Sequence, residues 1–258
     1  MNLHVFDIDR TIAEDTYGIS DKMVKQLLEL KEHSMVWFAT GRGFLSAKKG
    51  LLNLEKLMED SRIAVENGTK IFINNQPVFD FEYLSEDQIT QIVKFITNNA
   101  DDFKMGHFWS EGKLLTFVKT DSDFPYTKNE FAVKTNDIDE FLNEVKTAKP
   151  TMIHLRFGEA HTPPNIKFYN HKSYYTFMPT GTSKANIFHN LPAEIKEVFI
   201  YGDGANDVEM FNAKLPSSIK KTLHSVGNNQ ALVEIADVKL KDPADLADYL
   251  ADINIKFR

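Results

Sequence analysis

Residues 4–12 read His-Val-Phe-Asp-Ile-Asp-Arg-Thr-Ile, and this stretch places two carboxylates directly after a short apolar run. In an extended chain, the side chains of residues i and i+2 lie on the same face. Asp7 and Asp9 are therefore predicted to converge at the carboxyl end of a β-strand. Two converging carboxylates attract a hard cation such as Mg²⁺, and one of them can act as a nucleophile toward phosphorus. A charged strand exit without chemistry is the alternative interpretation of this stretch alone.

Two further apolar runs end in polar residues of a similar kind. The run at 35–39 is followed by Thr-Gly-Arg at 40–42, and the run at 197–201 is followed by Gly-Asp-Gly-Ala-Asn-Asp at 202–207. In a doubly wound parallel sheet, such strand ends lie along the edge where ligands bind. That edge would gather Asp7, Asp9, Thr40, Asp203, Asn206 and Asp207. Clustered carboxylates repel one another unless a cation joins them, so we predict a divalent ion there, with Mg²⁺ favoured by the oxygen ligands.

The order of helix-like and strand-like segments predicts an α/β fold. Apolar runs alternate with amphipathic helices at both ends of the chain, whereas the middle has several β-rich runs joined by short links, as in antiparallel pairing. We predict a doubly wound parallel-sheet, Rossmann-like core from residues 1–81 and 180–258. Residues 82–179 are predicted to form an inserted α+β domain. Helices are expected at 21–33, from 44 to about 58, and at 86–96, 138–145, 183–189 and 245–253, with Ser20 and Ser85 as N-caps of the helices at 21–33 and 86–96. Asn67-Gly68 is expected to form a tight turn.

Composition excludes several classes of protein. The chain has 258 residues, a formal net charge of −7 and no cysteine, so a disulfide framework or a thiolate metal site is impossible. The acidic balance argues against nucleic acid as a partner, because binding a phosphate backbone needs a basic face. No apolar run is as long as a membrane span, and the first residues lack the pattern of a secretory signal, so we expect a cytoplasmic protein. The sequence gives no indication of oligomeric state.

Four motifs in sequence order resemble those of the haloacid-dehalogenase-like superfamily of phosphatases, and within it the Cof-type sugar-phosphatase branch. They are Asp-Ile-Asp-Arg-Thr at 7–11, Thr-Gly-Arg at 40–42, Gly-Thr-Ser-Lys at 181–184 and Gly-Asp-Gly-Ala-Asn-Asp at 202–207. The insert at 82–179 resembles the cap domain of that branch. The resemblance covers nearly the whole chain, and it implies a phosphatase that uses an aspartyl-phosphate intermediate.

The resemblance implies roles for the acidic residues. Asp7 is expected to be the nucleophile, and Asp9 to protonate the leaving oxygen and then deprotonate the hydrolytic water. Mg²⁺ is expected on Asp7, on the backbone carbonyl of Asp9 and on Asp203. Asp207 is expected either to orient Lys184 or a metal-bound water, or simply to cap the helix that follows it.

Further residues are expected to hold the phosphoryl group. Thr40, the backbone N–H of Gly41 and Lys184 are assigned to the phosphoryl oxygens, with help from Asn206. Arg42 is a supporting residue that contacts substrate or cap, although a surface role explains it equally well.

Position 10 departs from the family pattern, which usually has glycine where this chain has Arg10. Glycine tolerates a positive φ, so arginine is strained there if the loop needs that conformation. Otherwise Arg10 is free to lie at the pocket mouth and touch substrate or cap.

Selection of the substrate is expected to come from the insert. Candidate lining residues are His107, Trp109, Arg156, His161 and Lys167, although a packing or surface role is the simpler interpretation of each.

Together these observations predict a Mg²⁺-dependent phosphatase acting on a small phosphorylated metabolite, with a sugar phosphate as the favoured class. A phosphomutase with the same nucleophile is one alternative. A catalytically weak metabolite-binding or regulatory protein is the other, and Arg10 is the feature that favours it.

Overall fold

The chain divides into two structural units. The computed structural model describes residues 1–14, 18–79, 82–110, 113–119 and 132–256. The first unit comprises Met1–Asp80 and Ser183–Arg258, and the second comprises Phe81–Thr182. Within the described residues, no helix is both long enough and apolar enough to span a membrane.

The helices and strands have the following bounds. The strands are β1 (Asn2–Asp7), β2 (Met35–Ala39), β3 (Arg62–Val65), β4 (Lys70–Ile73), β5 (Gln76–Pro77), β6 (Phe103–Ser110), β7 (Lys113–Val118), β8 (Ala132–Thr135), β9 (Met152–Phe157), β10 (Phe168–His171), β11 (Tyr174–Phe177), β12 (Glu197–Gly202), β13 (Lys220–Val226) and β14 (Val238–Leu240). The α-helices are α1 (Asp21–Lys31), α2 (Phe44–Gly50), α3 (Leu54–Leu57), α4 (Glu86–Asn98), α5 (Ile138–Thr147), α6 (Val208–Phe211), α7 (Gln230–Val233) and α8 (Pro243–Ile255). Short 3₁₀ helices cover Glu66–Gly68, Lys184–Phe188 and Ala205–Asp207.

The first unit contains an eight-stranded sheet in the order β14-β13-β12-β1-β2-β3-β4-β5. The strands from β14 to β3 are parallel, whereas β4 and β5 are antiparallel to their neighbours. From β1 the chain continues through β2 and β3 on one side, and it later returns through β12, β13 and β14 on the other. The β1–β12 junction is therefore a topological switch point, where open α/β sheets bind ligands beyond the strand ends. The predicted doubly wound α/β fold is confirmed.

Side chains from β1 enter two hydrophobic cores, one on each face of this sheet. Phe6 packs with Leu27 of α1 and Leu246 of α8, whereas Val5 belongs to the cluster that includes Met210 of α6 and Leu232 of α7. Successive side chains of a strand point to opposite faces, so a strand covered on both sides reads as a continuous apolar run. This double burial fixes the strand from which the two N-terminal carboxylates emerge.

Two predicted helices differ from the observed ones. The helix expected from residue 44 to about 58 is divided into α2 and α3, because Asn53 has φ 71° and interrupts the helical path. The helix expected at 183–189 is a 3₁₀ helix at Lys184–Phe188. Its first residue follows Ser183, whose hydroxyl accepts a hydrogen bond from the backbone N–H of Ala185 at 3.2 Å.

The second unit has a six-stranded sheet in the order β10-β11-β9-β6-β7-β8. The pairs are antiparallel, as predicted, except that β8 pairs with β7 in parallel. Helices α4 and α5 contribute Phe95 and Phe141 to a core that also contains Phe108, Ile153 and Tyr175 of the sheet. The unit therefore has the α+β character that the sequence predicted, and its hydrophobic core is separate from those of the first unit.

Candidate active site

Three carboxylates lie together beyond the ends of β1 and β12. Oxygen atoms of Asp7, Asp203 and Asp207 lie within 4.8 Å of one another. Asp7 and Asp207 are buried, with 3% and 0% of their surface exposed, and Asp203 is partly buried. The sequence predicted this meeting, because parallel strands place their carboxyl ends at one edge of the sheet.

Lys184 joins two of these carboxylates. Its Nζ donates to Asp7 Oδ1 at 2.5 Å and to Asp207 Oδ1 at 2.7 Å. The second oxygen of Asp7 accepts a hydrogen bond from Thr11 Oγ1 at 2.9 Å. Since Lys184 is only 1% exposed, these charge-assisted bonds lie out of water, where they are strong. Asp7 is thus fixed in one orientation by two donors.

The cluster has more negative than positive charge. Burial raises the pKa of Asp7 well above its ordinary value, and the nearby Asp207 carboxylate adds to this shift more than Lys184 reduces it. Burial and Asp207 also raise the pKa of Asp203. Burial alone would lower the pKa of Lys184, but Asp207 and Asp7 outweigh it, so the net shift is upward and the ammonium stays charged. The three carboxylates therefore have one buried ammonium beside them, and it contacts Asp7 and Asp207 but not Asp203.

The donor set suits a divalent cation that prefers oxygen ligands. All three acidic residues offer only carboxylate oxygens, and Mg²⁺ binds through one or two protein carboxylates while its other ligands come from water and phosphate. A cation at this point would also relieve the repulsion that raises the pKa values of Asp7 and Asp203. The residues present therefore fit Mg²⁺.

Asp207 stabilises the loop after β12 and the start of the 3₁₀ helix that follows it. Its Oδ2 accepts hydrogen bonds from the backbone N–H groups of Asp203 at 3.0 Å and Gly204 at 2.9 Å. A Cβ at Gly202 would lie 2.7 Å from the Cβ of Asp207, so this close approach requires glycine. The Asp207 side chain makes no capping bond to α6, but the bond that it accepts from the N–H of Gly204 caps the 3₁₀ helix Ala205–Asp207, which leads into α6.

The Asp9 side chain lies apart from the three clustered carboxylates and pairs with Arg42. The Nε of Arg42 is 3.0 Å from both oxygens of Asp9, and its Nη2 is 2.7 Å from Asp9 Oδ1. The two side chains are 14% and 28% exposed for Arg42 and Asp9, respectively, so the pair lies at the border of the site. Sequence reasoning gave Arg42 only a supporting or surface role and did not predict this contact.

The loop after β2 is held by a segment that sequence reasoning interpreted only as a turn. Thr40 is fully buried, and its hydroxyl accepts from the backbone N–H of Arg42 at 3.1 Å. The backbone N–H of Asn67 donates to the carbonyl of Thr40 at 2.9 Å, and Asn67 Oδ1 accepts from Asn206 Nδ2 at 2.9 Å. A Cβ on Gly41 would lie 3.2 Å from Asn67 Oδ1. Asn67 thus links the two loops that carry the predicted phosphate ligands, and its Asn-Gly sequence signalled only the turn.

Arg10 adopts the conformation for which glycine is usual. Its φ is 62°, in the left-handed region, and its Nε lies 3.1 Å from Asp203 Oδ2. The arginine side chain is 73% exposed, whereas that of Asp203 is 12% exposed. The strain considered from the sequence is therefore present, and the side chain makes an ion pair with a member of the acidic cluster.

Two of the candidate lining residues in the second unit are buried. His107 and Trp109 are each 6% exposed. The His107 ring stacks on His154 with centroids 4.5 Å apart, and His154 Nδ1 lies 2.8 Å from Thr176 Oγ1. The contacts of the two histidines are those of a packed sheet face.

The other three candidates lie nearer the surface of the second unit. His161 Nε2 is 2.8 Å from Asp102 Oδ2, and the Nζ of Lys167 donates to the backbone carbonyl of Thr182. Arg156 is exposed. A role in substrate selection stays a prediction for all five residues.

Solved structures with the same architecture are numerous. A protein from Thermotoga maritima, TM0651, is 16% identical, with a TM-score of 0.73 over 97% of this chain and 96% of that one. The subclass IIB sugar phosphatase BT4131 is 14% identical, with a TM-score of 0.73 over 99% and 100% of the two chains. BT1666 from Bacteroides thetaiotaomicron is 15% identical, with a TM-score of 0.72 over 99% and 96%. At these identities the likeness establishes the fold alone.

Sequence comparison identifies the family. A search of curated proteins gives no significant match. The sequence model that describes the haloacid dehalogenase-like hydrolases matches residues 4–216, which is most of the chain and contains all four motifs. The protein therefore belongs to the family of haloacid dehalogenase-like hydrolases.

Proposed function

We propose that this protein is a Mg²⁺-dependent phosphatase that hydrolyses a small phosphorylated metabolite, with a sugar phosphate as the favoured class. The observation that carries the proposal is the fixed, buried carboxylate of Asp7, which lies beside Lys184 in an acidic cluster at the switch point of the sheet. Family membership and the likeness to the subclass IIB sugar phosphatase BT4131 support it.

In this proposal Asp7 is the nucleophile. One of its carboxylate oxygens forms a bond to phosphorus while the bond from phosphorus to the leaving oxygen breaks, which leaves an aspartyl-phosphate. Asp9 gives a proton to the leaving oxygen. It then takes a proton from the water that attacks the aspartyl-phosphate, so that inorganic phosphate leaves and both carboxylates return to their starting states.

The surrounding residues bind charge and fix orientation. Lys184 orients Asp7 and places a positive charge beside the phosphoryl oxygens. Neutral donors to these oxygens come from the backbone N–H of Gly41 and the hydroxyl of Thr40. Asn206 adds a further donor. Thr40 and Lys184 are buried, and hydrogen bonds fix the loops that carry Gly41 and Asn206, so little rearrangement is needed when a phosphate arrives.

Asp7 and Asp203, with the backbone carbonyl of Asp9, would hold Mg²⁺, and Asp207 would orient Lys184 or a metal-bound water. When bound, the ion supplies the positive charge that lets an anionic carboxylate approach an anionic phosphate.

The proposed division of labour uses the ranges predicted from the sequence, whose bounds lie within three residues of those of the two units. Residues 1–81 and 180–258 form the catalytic core, and residues 82–179 form the cap that selects the leaving group. A cap of this kind excludes water during the reaction and contacts the part of the substrate beyond the phosphate.

The test is phosphate release from an aryl phosphate and a panel of sugar phosphates, with Mg²⁺ and with EDTA. We expect metal-dependent release by the wild type and a loss of at least about 10⁴-fold in Asp7→Asn, because removal of a nucleophile abolishes the covalent route. Asp248→Asn is the matched control, since Asp248 is exposed and pairs with Lys22 at the surface. In Asp9→Asn, label from ³²P-substrate should remain on the protein longer, because hydrolysis of the acyl phosphate has lost its base.

Two outcomes would favour the alternatives. Phosphate that returns to the substrate skeleton, with activation by a bisphosphate, would indicate a phosphomutase. Binding of substrate and Mg²⁺ without any release would indicate a catalytically weak binding protein, which the ion pair between Arg10 and Asp203 favours.

A further inference from the structure

The loop that follows β1 fixes Arg10 in a strained backbone conformation. The carbonyl of Ile8 accepts hydrogen bonds from the N–H groups of Thr11 at 3.3 Å, Ile12 at 3.0 Å and Ala13 at 2.9 Å. This winding leaves Arg10 at φ 62°, a region that only glycine occupies without cost. An arginine in place of the usual glycine therefore has a backbone cost that no packing contact explains, since its side chain is mostly exposed.

The guanidinium lies on the one clustered carboxylate that Lys184 does not contact. Lys184 donates to Asp7 and Asp207, whereas Arg10 Nε lies 3.1 Å from Asp203 Oδ2. Each of the three carboxylates thus has a cationic neighbour. Arg10 supplies to Asp203 part of the positive charge that a metal ion would otherwise provide.

The two cations differ in how easily they can leave. Lys184 is 1% exposed and makes two short ionic bonds, so it is a fixed part of the cluster. Arg10 is 73% exposed and has its ion pair to Asp203 at the edge of the cluster, where water competes with the contact. Ion pairs of this exposed kind are weak and are screened by salt.

We propose that Arg10 competes with Mg²⁺ for the carboxylate of Asp203, so that metal binding displaces the guanidinium and the metal affinity of this chain is set below that of a glycine-containing site. The inference rests on the proposed function, because it takes the acidic cluster to be a Mg²⁺ site. It concerns a residue in which this chain departs from the pattern of its family.

Isothermal titration of Mg²⁺ alone into the purified full chain tests this without relying on turnover. The variants are Arg10→Gly, Arg10→Asn and Arg10→Lys. Asn tolerates a positive φ without carrying charge, and Lys keeps the charge. Lys22→Ala is the matched control, because it removes one positive charge from an exposed ion pair with Asp248.

We expect Arg10→Gly and Arg10→Asn to bind Mg²⁺ about fivefold more tightly than the wild type, which is the size expected from an exposed ion pair. Arg10→Lys should stay within about twofold of the wild type, and Lys22→Ala should bind like the wild type. The advantage of the neutral variants should shrink as NaCl is raised, because salt screens the competing charge.

Equal or weaker Mg²⁺ affinity in both neutral variants would overturn the proposal. Tighter binding in Arg10→Gly alone would also overturn it, because the effect would then come from backbone freedom. If no Mg²⁺ binding is detected in any of the proteins, both this inference and the Mg²⁺ dependence of the proposed phosphatase fail. If the wild type binds Mg²⁺ and the variants match it, only the competition fails.

Discussion

The Arg42–Asp9 ion pair makes a prediction at the scale of single residues. The guanidinium contacts both oxygens of Asp9 through two nitrogens, a geometry that an ammonium group cannot reproduce. We expect Arg42→Lys to lower kcat about 100-fold with a smaller change in KM, because a misplaced Asp9 transfers protons poorly. Steady-state kinetics on the best substrate of the panel, with thermal unfolding as a check of folding, measures this.

A double-mutant cycle separates this positioning role from direct substrate binding. If Arg42 acts through Asp9, adding Arg42→Lys to Asp9→Asn should cost little more than Asp9→Asn alone, because the two residues act as a unit. Additive losses would show that Arg42 contacts the substrate independently. A kcat equal to that of the wild type in Arg42→Lys would contradict a catalytic role for the two-nitrogen contact between Arg42 and Asp9.

At the residue scale, the sequence predicted which acidic side chains lie close together better than it predicted which ion pairs and hydrogen bonds form around them. Asp7 and Asp203 each follow an apolar run, so the parallel-strand rule was enough to bring them together. The ion pairs of Arg10 and Arg42 were not predictable, because the partner of a long side chain depends on how several loops are arranged in the folded structure. Asn67 was interpreted only as a turn residue, because its partners Thr40 and Asn206 lie on loops that are distant from it in sequence.

Gly68 makes a prediction at the scale of an element, because it ends the 3₁₀ helix Glu66–Gly68 against the start of the one at Lys184–Phe188. Its φ is 86°, and a Cβ there would lie 1.8 Å from the carbonyl oxygen of Ser183. We expect Gly68→Ala to lower the free energy of unfolding by at least ~3 kcal/mol and to reduce kcat, because relief of the clash must move Ser183 and, with it, Lys184. Urea unfolding and kinetics measure the two effects.

Gly227 provides a matched control for this substitution. It also has a positive φ, of 84°, but a Cβ there would have no atom within 4 Å. Gly227→Ala should therefore cost only the conformational strain, about 1 kcal/mol, with kcat unchanged. Equal losses of stability in the two variants would mean that the contact with Ser183 is unimportant.

The presence of helices was predicted more accurately than where they are interrupted. The amphipathic spacing and the Ser20 and Ser85 caps predicted α1 and α4, and both serines accept the expected bonds from the third helical residue. The predicted helix at 44–58 was wrong in its middle, because Asn53 adopts the left-handed conformation, which asparagine tolerates better than most residues.

At the scale of the whole molecule, both units contain buried histidines that are expected to make the protein sensitive to acid. Burial lowers the pKa of His4 to about 3 and that of His224 to about 4 in the first unit, and that of His154 to about 4 in the second. An unfolded histidine has a pKa near 6.5. Above that pH both states are neutral and no stability is lost. As the pH falls, the unfolded state takes up protons first, so the free energy of unfolding decreases down to about pH 4.

His224 allows this effect to be isolated. It is fully buried, stacks on Tyr201 with centroids 4.3 Å apart, and its Nε2 lies 3.1 Å from Tyr249 Oη. We expect the wild type to lose about 3 kcal/mol more than His224→Gln between pH 7 and pH 4, because glutamine takes up no proton in either state. Urea unfolding followed through Trp37 in a Trp109→Phe background reports on the first unit, since these are the only two tryptophans.

Substitution by glutamine at an exposed position controls for the exchange of a side chain as such. Leu28→Gln should follow the pH dependence of the wild type, because the Leu28 side chain is exposed and neither leucine nor glutamine titrates. The comparison of the two variants also removes the opposing contribution of Asp7 and Asp203, whose raised pKa values favour the folded state as the pH falls and which both variants retain. If His224→Gln loses stability as steeply as the wild type, the acid sensitivity of the first unit arises elsewhere, and His4, with its still lower pKa of about 3, is the next residue to replace.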